Sequence, residues 1–150
     1  MTIYVASDHR GFDLKHIVIE YLRNKDHQVF DSGDDRLDPN DDFPLFASKA
    51  VSQLLASHDT NARAILICGS GQGMVMAANR FKGIRAGLGW SRQATKNIRN
   101  DEDSNVLALP AELYEQDKNL VFNIIDDFIY TPFAGADRFK RRNRQLDDLV

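Results

Sequence analysis

The sequence predicts a doubly wound α/β fold: three layers, with a five-stranded parallel sheet between helices and a helical tail at the C-terminus. Three observations predict it. Short β-prone runs alternate with helical segments along the whole chain. The run Ala64-Ile65-Leu66-Ile67 is apolar at every position, the pattern of a strand covered on both faces, as parallel strands are. A glycine-rich turn then joins that strand to a helix.

The elements follow in order. Residues 3–6 read as the first strand. Gly11 and Asp13 open a helix on which Leu14, Ile17, Val18, Tyr21 and Leu22 recur at helical spacing. Gln28-Val29-Phe30 reads as the second strand. Residues 31–42 form an acidic loop with Gly33 and Pro39; it lacks the spacing of a calcium loop and reads as a solvated connection. Pro44 suits the first turn of a helix carrying Phe46, Ala47, Ala50, Val51 and Leu54. After the third strand and its glycine turn come helical residues 74–79, a fourth strand at 84–88, a helix at 91–99 and a fifth strand at 106–109. Residues 112–130 are expected as one long amphipathic helix, with Leu113, Leu120, Val121, Ile124, Ile125 and Phe128 on its apolar face. A basic tail closes the chain.

A length of 150 residues suggests one domain, large enough to bury a core without metals or disulfides. The net charge of -3 argues against general nucleic-acid binding. The chain has one cysteine, so no internal disulfide forms, which fits a reducing compartment. The apolar stretch at residues 2–7 is short, and Asp8-His9-Arg10 follows at once, unlike an export signal. No segment approaches the roughly 20 apolar residues needed to span a bilayer. The expectation is a soluble, cytoplasmic protein with no membrane or nucleic-acid partner.

In doubly wound sheets ligands bind at the carboxyl ends of strands, which directs attention to residues 7–11, residues 68–74 and the loop before Val106. The segment Cys68-Gly69-Ser70-Gly71-Gln72-Gly73-Met74 is the most informative. Its glycines let backbone N–H groups converge on a phosphate or a developing oxyanion. It lacks the full dinucleotide fingerprint and the lysine and hydroxyl of a Walker loop. Cys68, beside that electropositive turn, is expected to have a lowered thiol pKa and to act as a thiolate base; the same position suits a buried structural cysteine. In Ser7-Asp8-His9-Arg10-Gly11, His9 is placed to shuttle a proton and Asp8 to orient a hydroxyl, or Asp8 caps the next helix. His16, His27 and His58 read as surface residues. Arg138, Lys140, Arg141, Arg142 and Arg144 make a basic tail, read either as a solvated end or as a phosphate site; Arg138 and Arg142 share a face if helical.

Taken together, the motifs resemble ribose-5-phosphate isomerase B and the related galactose-6-phosphate isomerase subunits. The residues carrying the resemblance are Ser7-Asp8-His9-Arg10-Gly11-Phe12 with Leu14-Lys15, Asp42-Phe43-Pro44, and Ile65-Leu66-Ile67-Cys68-Gly69-Ser70-Gly71-Gln72-Gly73-Met74. Ala77-Ala78-Asn79-Arg80, Gly83-Ile84-Arg85-Ala86 and Ser104-Asn105-Val106-Leu107-Ala108 complete it. The resemblance implies a Rossmann-like sheet and a metal- and cofactor-independent aldose–ketose isomerase working on a small sugar phosphate through an enediolate. It implies a homodimer or dimer of dimers in which two subunits share each active site. Cys68 is then the base. Gly69, Gly71, Gln72 and Gly73 form the anion hole, and Ser70 helps move the hydroxyl proton. Asp8 and His9 hold sugar oxygens, and Arg138 and Arg142 bind phosphate.

Three departures from the family pattern stand out. Asp101-Glu102 replaces a histidine-asparagine pair whose histidine helps open the sugar ring, which makes Asp101 the candidate at that catalytic position. Glu112 replaces an arginine, and Phe139 a histidine. Carboxylic acids ordinarily lose their proton far below neutrality, unlike an imidazole. Ring-closed ribose 5-phosphate is therefore expected to be handled less well than a shorter, open-chain sugar phosphate. Glu112 is expected to repel phosphate, and Arg10 to replace the lost contact. The same departures support an alternative reading, a non-catalytic sugar-phosphate-binding member of the family.

Overall fold

A computed structural model describes residues 1–149. The strands are β1 (Thr2–Ser7), β2 (Gln28–Asp31), β3 (Arg63–Cys68), β4 (Ala86–Leu88) and β5 (Val106–Pro110). They form one sheet of order β2-β1-β3-β5-β4, and every pairing is parallel. A 3-10 turn at His9–Gly11 leads into α1 (Phe12–Arg23). The remaining helices are α2 (Phe43–Leu55), α3 (Gln72–Ala78), α4 (Arg92–Asn100), α5 (Ala111–Gln116), α6 (Lys118–Tyr130) and α7 (Asp137–Asp147).

Neighbouring residues of the central strands bury on opposite faces, as a two-residue period requires. Ile3, Val5, Ile65, Ile67, Leu107 and Leu109 pack against Leu14, Val18, Ile124, Ile125 and Phe128 of α1 and α6. Ala6, Ala64, Leu66 and Ala108 pack against Ala47, Ala50, Val51, Met74 and Ala78 of α2 and α3. This is the predicted three-layer architecture, and the apolar run Ala64-Ile65-Leu66-Ile67 of β3 is buried on both faces. Removing one of its isoleucine side chains is expected to cost about 2–5 kcal/mol.

Two predicted elements differ from those observed. The fourth strand is shorter than residues 84–88, because Arg85 is stitched to the entry of β5 rather than to a ladder. Its carbonyl accepts from Asn105 N and Ser104 Oγ, and its N–H donates to Asn105 Oδ1. The long helix over residues 112–130 is broken at Asp117, whose extended backbone (φ -151°, ψ 99°) starts a new helix and whose carboxylate accepts from Leu120 N at 3.0 Å. Aspartate is a strong helix-starting cap, but the apolar period continues across the break and conceals it.

Parallel strands share their edges. Ser7 pairs with Ile67, and Cys68 with Pro110, so the segments after β1, β3 and β5 meet at the carboxyl edge. The loop before Val106 lies at the opposite, amino edge, contrary to its grouping with the carboxyl-end sites. No helix among the described residues is long and apolar enough to cross a membrane.

Candidate active site

Asp8 is the first residue beyond β1, and its N–H still reaches Ile67 O at 3.2 Å. Its Oδ1 accepts from Arg10 N at 3.0 Å and Gly11 N at 3.2 Å, capping the 3-10 turn. Gly11 is required there, since a Cβ would lie 2.6 Å from the Ile67 side chain and 2.8 Å from its carbonyl oxygen. Asp8 is only 8% exposed. Burial pushes its carboxyl above the usual range, with Asp41 adding to the rise, while the Gly11 and Arg10 N–H groups and His9 oppose it.

Cys68 ends β3 as a buried side chain beside Ala6, Leu66 and Met74. Its Sγ accepts from Gly71 N at 3.2 Å. The expectation of a lowered thiol pKa is corrected here: burial pushes the thiol up, and the Asp8 charge adds to it. The Met74, Gly71 and Ser70 N–H groups pull the other way without overcoming burial. The cradle for an anion is present, but the resting sulfur is held as a thiol.

Gly71 sits in the left-handed region at φ 75°, and a Cβ would lie 2.5 Å from Leu88 Cδ1. That backbone aims the turn's N–H groups back at Cys68, a conformation glycine adopts without penalty. Ser70 and Gln72 are exposed on the outer side of the turn, with Gln72 N near Ser70 Oγ at 3.4 Å. Gly73 packs under the Phe43 ring, so the start of α2 and the glycine turn are in direct contact. Gly69 lies beneath Arg10, whose guanidinium carbon is 2.8 Å from where a Cβ would stand.

Two contacts have no counterpart in the sequence reading, although Lys15 stands among the residues that carry the resemblance. Asp41 Oδ1 accepts from His9 N at 3.1 Å and pairs with His9 Nδ1 at 2.6 Å. Lys15 is fully buried, with Nζ 2.9 Å from Asp31 and donating to the Asp34 carbonyl. The acidic loop is therefore anchored to the site rather than merely solvated. The sequence signals for this were a lysine on an otherwise apolar helix face, its place among the residues that carry the resemblance, and the run of aspartates at residues 31–42.

The remaining predicted residues lie elsewhere. Asp101 ends α4, takes a hydrogen bond from Asn100 Nδ2 at 2.7 Å, and leads into the amino-edge loop. Helix α7 rests on the same edge: Asn143 Nδ2 donates to Asp101 O at 3.5 Å, and Arg85 pairs with Asp147 at 2.9 Å. Partial burial and the Asp101 charge raise the Glu102 carboxyl, and Arg142 counters them. Arg138 and Arg142 are exposed, and neither has an ion-pair partner among the described residues. Four rungs of β5, about 13 Å, separate this edge from Cys68. Within one chain, Asp8, His9, Arg10 and residues 68–73 come together, while Asp101, Arg138 and Arg142 do not join them.

Comparison with known proteins agrees with the fold and motifs. A probable ribose-5-phosphate isomerase B from Mycoplasma pneumoniae is 40% identical over 139 residues, covering 93% of this chain and 89% of that protein. The crystal structure of ribose-5-phosphate isomerase B from Mycoplasma genitalium with bound ribulose-5-phosphate superposes with a TM-score of 0.90 at 36% identity, covering 99% of this chain and 95% of that one. A ribose 5-phosphate isomerase from Thermotoga maritima gives 0.89 at 39% identity, covering 98% and 97%. The sequence profile of the ribose/galactose isomerases matches residues 3–146, and the chain belongs to that family.

Proposed function

We propose that this protein is a cytoplasmic aldose–ketose isomerase of a small phosphorylated sugar, with Cys68 as the proton-transferring base. The observation that carries the reading is the Cys68 sulfur, cradled by the N–H of Gly71 beside the Asp8-His9 turn. The likeness to enzymes named ribose-5-phosphate isomerase B, one of them holding ribulose-5-phosphate, supports a substrate of about that size.

In this reading the buried Cys68 thiol first gives up its proton to solvent, and the thiolate so formed removes the proton from C2 of the aldose. The electron pair moves into an enediolate whose oxygen is held by the N–H groups of residues 69–73. Return of the proton to C1 gives the ketose. The exchange is redox-neutral and calls for no metal or organic cofactor. Ser70 passes the hydroxyl proton between O1 and O2, and Asp8 and His9 hold the sugar hydroxyls. Arg138 and Arg142, remote from Cys68 in their own chain, bind phosphate at the site of a second copy, together with the Asp101 loop. The non-catalytic alternative rests on the departures at Asp101, Glu112 and Phe139; the retained Cys68 with its glycine turn and the likeness to enzymes named ribose-5-phosphate isomerase B oppose it.

The test is turnover of four-, five- and six-carbon aldose phosphates by the purified protein. Conversion of at least one is expected, with the ratio of tetrose to pentose kcat/KM reporting the effect of Asp101. No conversion of any would overturn the reading.

A further inference from the structure

We propose that Asp41 is a positioning residue for His9, fixing the imidazole as its Nδ1–H tautomer and leaving Nε2 to exchange a proton with a sugar oxygen. This rests on the isomerase reading above.

The geometry is specific to one carboxylate oxygen. Asp41 Oδ1 receives both the main-chain N–H of His9, at 3.1 Å, and its ring Nδ1, at 2.6 Å. Backbone and ring are thereby held from the same point. A carboxylate cannot donate, so a neutral ring paired with it carries its proton on Nδ1, and its other nitrogen is an acceptor. The Asp41 side chain is 7% exposed and that of His9 is 33% exposed. The bond is therefore shielded from water while the ring keeps an open side, and a charge-assisted hydrogen bond is strongest under such shielding. Nε2 has no hydrogen-bond partner among the described residues.

The carboxylate is itself held in place. Asp41 N donates to Asp38 O at 3.1 Å, and the loop bearing both is tied to α1 by Lys15 through Asp31 and the Asp34 carbonyl. Among the described residues no other imidazole is at this edge of the sheet with such a partner. His16 Nδ1 lies against Phe12 O, His27 pairs with Tyr130, and His58 is exposed after α2. Opening a sugar ring takes a proton from the anomeric hydroxyl and delivers one to the ring oxygen. A neutral imidazole with a free acceptor nitrogen accepts the first and, once protonated, supplies the second. Residue 101 carries no imidazole, and in this arrangement the Asp41–His9 pair supplies one.

The experiment compares the parent with Asp41→Ala and Asp41→Asn. The His9 tautomer is read from long-range 1H–15N spectra at a pH where the ring is neutral, with assignment by His9→Gln. Kinetics use a ring-forming aldose phosphate. The parent is expected to show Nδ1–H. Asp41→Ala should lose that preference and drop kcat roughly 10- to 100-fold, with KM within about threefold. Asp41→Asn keeps an acceptor oxygen, so it should restore the tautomer and recover much of kcat. An Nε2–H tautomer in the parent overturns the proposal, as does an Asp41→Ala variant with parental tautomer and kcat, or one that changes KM alone. If the Ala variant does not fold, the parent spectrum decides. If the parent turns over no sugar phosphate, the isomerase reading fails separately, and the tautomers still decide whether Asp41 governs His9.

Discussion

Arg10 donates from Nη2 to Glu112 Oε1 at 2.9 Å, and the pair bridges the segments after β1 and β5 above the glycine turn of β3. Glu112 N also donates to Gly69 O at 3.2 Å, so the carboxylate is anchored where it meets the guanidinium. The pairing revises two expectations at once. Glu112 does not present an uncompensated negative charge to an incoming phosphate, and Arg10 is not free to replace a missing phosphate contact. Both side chains are about half exposed, so the pair adds at most about 1 kcal/mol to stability. Its weight falls on the local field.

Glu112→Gln should therefore release Arg10 toward an anionic substrate. KM for a sugar phosphate is expected to fall roughly two- to fivefold at low salt, with the gain shrinking at high salt and kcat unchanged. Steady-state kinetics at two ionic strengths measure this. A rise in KM would mean that the pair orders the site rather than neutralising it.

Cys68→Ser should fold normally, since it exchanges one small buried group for another, and should lose roughly 10²- to 10⁴-fold in kcat. Because burial raises the parent thiol, its alkylation by iodoacetamide should be slower at neutral pH than that of a free thiol and should climb through alkaline pH. The stability sign follows from linkage: with the folded pKa above the unfolded one, the contribution is complete below the unfolded value and is lost as pH rises through the folded one. The parent should thus lose stability above about pH 8.5 relative to Cys68→Ser, as urea unfolding at several pH values would show. Parental turnover by the serine variant would make Cys68 a structural residue.

Asp8 carries the same sign in a different window. Its raised carboxyl contributes stability that is complete below the unfolded value, about 3.9, and is lost as pH rises through the folded value. Asp8→Asn keeps an acceptor for the Arg10 and Gly11 N–H groups and removes the buried charge. A higher melting temperature than the parent at pH 7 is expected, with the advantage narrowing toward pH 4 and activity reduced. Asp8→Ala removes the cap as well and should melt lower than Asp8→Asn, by the equivalent of about 1 kcal/mol. Equal melting temperatures for all three proteins would contradict both the burial cost and the cap.

A shared site predicts complementation. Cys68→Ser and the double variant Arg138→Ala/Arg142→Ala should each be nearly inactive. Refolding a 1:1 mixture yields heterodimers as about half of all dimers, each with one intact site, and should restore about a quarter of parental activity. No recovery would place every functional group of a site within one chain.

Much of this was legible in the sequence because it is local. The helical recurrence of Leu14, Val18 and Leu22 and the unbroken apolar run of β3 specify elements by period, and the cysteine and glycine turn specifies a strand end by composition. The rest depends on distance in the chain. Asp41 meets His9 across 32 positions, and nothing near either residue announces it. The thiol's direction depends on the burial of Cys68 in the core cluster it shares with Ala6, Leu66 and Met74, which motif spacing does not encode. The edge occupied by Asp101, by contrast, was legible: a loop that enters a strand of the predicted parallel sheet lies at its amino edge.

The buried ammonium of Lys15 gives the polar segment over residues 31–42 an unusual dependence on the interior. Loops of this composition ordinarily fray first, because their backbone is already hydrated. Here, peeling the segment away strands an ammonium against Phe12, 5.2 Å from its ring centre, with Asp31 and Asp34 gone. A buried charge that loses its partner carries a desolvation cost that an exposed one does not, and the Lys15 ammonium is the fully buried member of this pair. The segment carrying Asp41 is therefore coupled to the core in the order of unfolding: it lets go with α1, not ahead of it.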